Sequence, residues 1–449
     1  MKSQADGLAD VAVQSQPRTT WLPNRERLRF WAARISHFGA WQLASQGIQL
    51  ITGFLLIRWL SLEAYAQFGV ALGFQSMLNM LVDLGFSGSI VALVGERIHD
   101  RENVGRYIRS ALSLRTRMLL TVGPLSALAF FWLAQRHHWP LWTSLPLFVS
   151  ILASLFFQGW TACYTPPLLM HHQIGPLYRP GVLLNAAKLA ACALLHLFAT
   201  LGATAICGLN ALASMLTGFL YRSSATRYYT THNLPDKEAS QAIRRYISPL
   251  LLGIVFYAFQ GQVQVFLISI FGKTQSIAEV AALGRLGQLF MFLSAFNTTI
   301  LTPFIARVPS AQLALRYTQA MLLTVTVAAT VSISAFLLPG PFLWLLGPKY
   351  ETLHTELSLS VTASSLSLIT GTLYSFNNAR QWIFHWTGLV TIGGLLLIQA
   401  TMLAVMKLDT TLNVMLFAVI SAAYPILPFG ATALYGYSKT TAARTGLTA

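Results

Sequence analysis

Runs of about twenty mostly apolar residues recur along the whole of this chain, and that is the length an α-helix needs to cross the hydrocarbon core of a bilayer. Twelve such runs are found, at 38–57, 66–94, 118–134, 143–165, 181–199, 200–220, 247–271, 281–305, 318–341, 357–377, 384–405 and 411–435. With 55% hydrophobic and only 10% charged residues, the chain reads as an all-α polytopic membrane protein. Backbone polar groups surrounded by lipid are satisfied only inside helices or closed barrels. The run 66–94 is too long for one straight span and is expected to end in an interfacial piece after Gly85. The fifth and sixth runs are nearly fused, with Gly202 as the expected turn.

Basic residues outnumber acidic ones by 30 to 14 over 449 residues. In a soluble chain this would suggest nucleic acid as a partner. Here the excess sits in short links between apolar runs, where topology explains it, and no nucleic acid is expected. The even-numbered links and the two tails hold 23 Lys and Arg; the odd-numbered links hold five, Arg58, Arg136, Lys273, Lys349 and Lys407. By the positive-inside rule both termini are cytoplasmic. Trp59, Trp139, Trp142 and Trp344 then fall near the outer boundary, where amphipathic rings belong.

The expected organisation is a basic cytoplasmic tail (1–37), a first six-helix lobe (38–221), a cytoplasmic linker (222–246), a second six-helix lobe (247–435) and a short cytoplasmic tail (436–449). Equal halves suggest an internal repeat. A faint one is present: "SLEAYAQFGVALG" after the first run echoes "SIAEVAALGRLG" after the seventh, with Glu63 and Glu279 in matching places. The longest basic link, "GERIHDRENVGRYIRSALSLRTR", reads either as an amphipathic helix on the inner leaflet or as a solvated loop.

Polar residues inside the runs carry the functional signal, because burying them in lipid is costly. Gln42, Gln46 and Gln49 form one helical stripe, Gln75, Asn79 and Asp83 another, and Asn185 and Lys188 lie one turn apart. Such stripes either bond helices to one another or line a polar cavity, and three in one half of the chain favour the cavity. Depth along each run puts the glutamines, Asp83 and Lys188 in the cytoplasmic half. Asp83 is the only carboxylate in the long runs, so it is expected either to pair with Lys188 or to be held at the interface by Arg97 or Arg101. In the second half, Gln260, Gln262 and Gln264 fall near mid-membrane. Arg285 falls about one turn below the outer boundary, where it either snorkels or meets a ligand. Cys163, Cys192 and Cys207 have no metal-ligand spacing, so neither a metal nor a cofactor is expected.

The stretch from Gly39 to Glu96 resembles the opening of polysaccharide-lipid flippases of the MOP exporter superfamily, the Wzx-like group. Those begin with an apolar span closing in Arg, a Leu-Ser-Pro-Glu-x-Tyr-Gly turn and a second span ending in Asp-Leu-Gly. Here Arg58, then Leu60, Ser61, Glu63 and Tyr65, then Asp83, Leu84 and Gly85 match, with Leu62 in place of Pro and Ala66 in place of Gly. "AEVAALGRLGQL" is similar to the second-half counterpart and puts Arg285 on its basic position. The acidic residue often carried by the seventh span is replaced here by Gln262 or Gln264.

The resemblance implies two six-helix lobes of the MATE/MOP kind around a cavity that opens alternately to either side of a bacterial inner membrane. The implied cargo is a polyprenyl-pyrophosphate-linked oligosaccharide moved from the inner to the outer leaflet, for lipopolysaccharide O-antigen or exopolysaccharide synthesis. The implied partners are membrane lipids, with a polysaccharide polymerase and a chain-length regulator as further candidates. The implied substrate residues are Lys188, Arg285, Gln42, Gln46, Gln49, Gln75, Asn79 and Asn185, with Asp83 for charge balance or coupling. The chain is then a transporter, not an enzyme. The alternatives are a multidrug or cation exporter of the same superfamily and a membrane-embedded glycan polymerase or ligase. The exporter would want several buried carboxylates and the enzyme a large outer loop, and the sequence offers neither.

Overall fold

The computed structural model describes residues 25–95, 97–171, 173–231, 234–309 and 312–445. Its contacts divide the chain into a short unit, Met1–Leu43, and the body, Ala44–Ala449. The described part of the short unit is helical; most of the expected basic tail lies outside the described residues.

Every regular element among the described residues is a helix. The first half of the chain folds as α1 (Arg25–Trp59), α2 (Leu62–Asp83), α3 (Phe86–Val94), α4 (Arg101–Arg136), α5 (Leu141–Met170), α6 (Ile174–Leu197) and α7 (Ala203–Ala225). The helix α8 (Lys237–Ile247) leads into α9 (Leu251–Gln260), α10 (Val263–Phe271), α11 (Thr274–Leu286), α12 (Phe290–Phe296) and α13 (Thr302–Arg307). The rest is α14 (Leu313–Leu337), α15 (Pro339–Leu346), α16 (His354–Ala379), α17 (His385–Val405), α18 (Thr411–Ala423) and α19 (Ile426–Thr445). Eleven helical stretches among the described residues, four of them built from two of these helices, are long and apolar enough to cross a membrane, and they answer to the second through twelfth apolar runs. The first run lies in α1.

Three expectations are corrected. The basic link is neither a surface helix nor a loop: α4 begins at Arg101 and runs unbroken through the third apolar run. Asp100 caps it, accepting from the backbone N–H groups of Glu102 and Asn103, a cap worth about 1 kcal/mol. The seventh run is carried not by one continuous helix but by two, α9 and α10, parted at Gly261–Gln262. The twelfth is likewise parted, at Tyr424–Pro425. The expected interruption near Gly85 is present: Leu84 and Gly85 both take left-handed backbone, at φ 44° and 86°, and turn the chain from α2 into α3.

Packing distinguishes the two ends of the bundle. One apolar cluster joins both halves at the end that carries Arg58, from Leu56 and Tyr65 through Phe130 and Leu283 to Tyr350 and Phe417. At the other end, which carries Asp83, the clusters separate. Leu84, Ile108 and Tyr221 belong to one with Ile243 and Ile247 of α8. Ile305 and Phe376, and Leu313 and Trp382, belong to two others in the second half. The halves therefore share a broad core at the Arg58 end, whereas at the Asp83 end only the start of the second half, Ile247 with Ile254 and Val255 packed beside it, joins the first-half cluster.

Hydrogen bonds across the halves reinforce the Arg58 end. The Arg58 guanidinium donates to the Trp344 carbonyl and lies 4.6 Å over the Trp344 ring. Lys349 donates to the carbonyls of Leu60 and, at 3.2 Å, Arg58. His137 bonds the Ser269 carbonyl at 2.7 Å. The two echoing segments meet here, since α2 packs on α11 so closely that a Cβ at Gly69 would lie 2.6 Å from that of Ala281. Small residues permit such close approach of helices within a membrane.

Candidate functional site

Two chambers lie beneath this closed end. The smaller, about 440 Å³, is walled mainly by α1, α2, α5, α6 and α7. Its polar lining includes Gln49, Gln75, Gln158, Asn185, Lys188 and Asn210. The larger, about 650 Å³, lies between α2 and the second-half helices α10, α11, α16 and α18. The two share Leu72, Arg285 and Gln288, so Arg285 stands at their junction.

Local folding explains how each polar group arrives. Asn185 and Lys188 lie on one face of α6. Asn185 donates to Ser45 of α1 at 3.1 Å, and the Lys188 ammonium donates to Asn210 of α7 at 3.1 Å. Arg285 comes from the second half. Its guanidinium lies 5.6 Å from the Phe68 ring, within reach of the Tyr65 hydroxyl and close to Gly53. A Cβ at Gly53 would rest in ordinary contact with it, 3.6 Å from the guanidinium. Among the described residues, Lys188 and Arg285 are the only charged ones lining either chamber, and neither lining contains a carboxylate. Two cations without a counter-ion, surrounded by amides and hydroxyls, form a site complementary to an anion.

The structure sorts the sequence candidates. Gln49, Gln75, Asn185, Lys188 and Arg285 come together around the smaller chamber. Gln46 is half-buried outside its lining, and its side-chain oxygen is sealed from solvent without a hydrogen-bond partner among the described residues. The Gln42 side chain lies outside the described residues. Asn79 and Asp83 turn away from the chamber towards Arg115.

The expected Asp83–Lys188 pair does not form, and neither Arg97 nor Arg101 holds Asp83. Asp83 instead pairs with the Arg115 guanidinium and accepts from Ser87 at 2.8 Å. The same guanidinium donates to Asn79 at 2.6 Å. Arg115 is only 4% exposed, packed so tightly against α5 that a Cβ at Gly159 would lie 2.8 Å from its Nε. The depth expectation for Arg285 is also corrected. Because α11 starts at Thr274 rather than 281, Arg285 lies about 16 Å along its helix at 1.5 Å per residue, and it faces the same chamber as Lys188.

Sequence reasoning missed Arg115, Gln158, Asn210 and Gln288. Asn210 and Gln158 carried the same signal as the residues that were found, a lone amide in an apolar run. Arg115 carried none, because it lies in a stretch rich in arginine.

No protein-family model and no curated protein sequence matches the chain. Solved structures do. An inward-closed structure of the lipid II flippase MurJ matches with a TM-score of 0.67 at 14% identity, over 90% of this chain and 89% of that one. The fold is that of the MOP superfamily transporters. An inward-facing multidrug resistance MATE family transporter of the MOP superfamily matches at 0.60, with 14% identity over 89% of this chain and 96% of that one. An outward-facing structure described in the same words matches at 0.53, with 15% identity over 92% and 96%. Of these two MATE forms, the inward-facing one has the higher score.

Proposed function

We propose that this chain is a flippase that carries polyprenyl-pyrophosphate-linked oligosaccharide repeat units from the inner to the outer leaflet of a bacterial cytoplasmic membrane. The observation that carries this reading is the pairing of Lys188 and Arg285 in a chamber without carboxylates. A pyrophosphate offers the several anionic oxygens that an ammonium and a guanidinium satisfy together. The amides around them suit sugar hydroxyls, and the polyprenyl tail stays in the bilayer beside the bundle. The lipid II flippase among the structural neighbours supports a lipid-linked cargo for this fold. A cation exporter is disfavoured, since a positive cargo would meet two uncompensated positive charges.

Transport follows from the packing. The positive-inside count puts the Arg58 end outside, so this state is closed to the outside and loads from the cytoplasm. Opening to the outside must part the shared core. Arg285 sits in the second half and reaches into a first-half chamber, so that motion separates it from Lys188. The anion then loses one of its two cations, which favours release. Surface polysaccharide synthesis is the process served, with a polymerase and a chain-length regulator as downstream partners.

Reconstituted vesicles test this. Labelled polyprenyl-pyrophosphate oligosaccharide should equilibrate between leaflets in the presence of the protein, and a lipophilic cationic dye should not be moved. Transport of the dye with no movement of the glycolipid would reverse the reading.

A further inference from the structure

The larger chamber differs from the smaller in kind. Three serines of α16, Ser360, Ser364 and Ser367, stand at i, i+4 and i+7 along its wall. Each hydroxyl donates to a backbone carbonyl, those of Leu283, Ser360 and Ala363, at 3.3, 3.0 and 2.9 Å. The hydroxyl oxygens keep their lone pairs for another donor.

Opposite them stand Gln262, Gln264 and Gln288. None has a side-chain hydrogen bond to the protein among the described residues. The neighbouring Gln260 shows what a glutamine does when it joins helices. Gln399 donates to it at 3.0 Å and to Ser421 at 3.1 Å, wholly within the bundle. The three chamber glutamines bind nothing of the kind, so helix–helix bonding does not explain them.

The backbone also departs from regular helix here. The seventh run breaks at Gly261–Gln262, and α11 tightens into a 3₁₀ turn over Gly287–Leu289. Gly261, Gln262, Gly287 and Gln288 all line the chamber. Irregular backbone at membrane depth is tolerated where it borders a cavity, and in transporters it marks binding sites.

We propose that the larger chamber is a saccharide subsite selective for uncharged sugar residues, entered from the anion site past Arg285 and Gln288. This rests on the reading of Lys188 and Arg285 as the pyrophosphate site. An amide both donates and accepts, as a sugar hydroxyl does, and the serine rail supplies further acceptors. About 650 Å³ lies within the range of small-molecule sites. Selectivity follows from charge. Arg285 is the only charged residue in the lining and is engaged at the junction, so an ionised sugar carried beyond it would be desolvated without a counter-ion.

The test is equilibrium binding to the purified protein of three probes: bare polyprenyl pyrophosphate, the same lipid carrying a neutral trisaccharide, and the same carrying a trisaccharide with one uronic acid. The neutral glycan should tighten binding about tenfold over the bare lipid, equivalent to about 1.4 kcal/mol; the acidic glycan should add nothing. Gln264→Leu combined with Ser364→Ala should erase the neutral gain and leave bare-lipid binding unchanged, which also shows that the variant is folded. Ser364→Lys, which supplies a counter-ion, should reverse the preference towards the acidic glycan. A neutral gain that survives Gln264→Leu with Ser364→Ala, or no gain in the wild type, overturns the saccharide subsite alone. Failure of the bare lipid to bind the wild type overturns the anion-site reading instead.

Discussion

Arg115 of α4 and Asp83 at the end of α2 form an ion pair inside the first half, with the arginine also donating to Asn79. The pair removes from consideration the one carboxylate that the sequence placed among the spans. Asp83 is spoken for, and the chamber is left cationic.

Breaking that pair should be costly, because each single change leaves a charge in the bundle without its partner. Asp83→Asn and Arg115→Met should each lower stability by about 3–5 kcal/mol, whereas Asp83→Leu with Arg115→Met should recover much of the loss. Gly159→Val should behave like the Arg115 variant, since its side chain would occupy the space of the guanidinium. Thermal unfolding in detergent and abundance in membranes measure this. A double variant that loses the sum of the two single losses would show that Asp83 and Arg115 are not coupled.

The latch at the Arg58 end makes a prediction about access. With the buried native cysteines Cys163, Cys192 and Cys207 left in place, cysteines at Glu351 and Asp409 should react with an impermeant reagent from outside, and one at Leu234 should not. A cysteine at Gln264 should be shielded from outside in the parent. Arg58→Ala with Lys349→Ala removes three donations across the halves and should expose it at least several-fold. Labelling at Leu234 from outside would invert the orientation; no change at Gln264 would mean that these contacts do not hold the end shut.

Asp236 gives a pH dependence outside the spans. It caps α8 by accepting from the Ala239 N–H at 2.7 Å and pairs with Arg106 of α4 at 3.1 Å. The Ala239 N–H first, then the Arg106 guanidinium, holds its carboxyl below the ordinary value of 3.8. A carboxyl depressed on folding stabilises the fold above its unfolded value and loses that contribution as pH falls through the folded one. The stability gap between wild type and Asp236→Asn should therefore be level above about pH 5 and shrink as pH falls through 3.8 and below. A gap already closing between pH 7 and 5 would point to another group.

Much of this was legible in the sequence because apolar length and periodicity report directly on spans and faces. The eleven spanning helices, the turn at Gly202, the interruption at Leu84–Gly85 and the chamber residues Gln49, Gln75, Asn185, Lys188 and Arg285 all follow from that signal. What escaped depends on long-range geometry. Arg115 lay among arginines that topology already explained, so nothing local marked it as the partner of Asp83. Apolar runs alone put Lys188 and Arg285 at opposite depths, but α11 begins seven residues before its run. The break at Gly261–Gln262 was hidden because a run of apolar residues reads alike whether one helix or two half-helices carry it.

The most direct measurement is binding of polyprenyl pyrophosphate to purified wild type, Lys188→Gln, Arg285→Gln and the double variant, at matched folding and fixed salt. Charge-assisted hydrogen bonds contribute about 1.5–3 kcal/mol each. Each single change should therefore weaken binding roughly ten- to a hundred-fold, Arg285→Lys should restore only part of it, and the double variant should retain no specific binding. Wild-type affinity in the double variant would contradict a pyrophosphate site shared between Lys188 and Arg285.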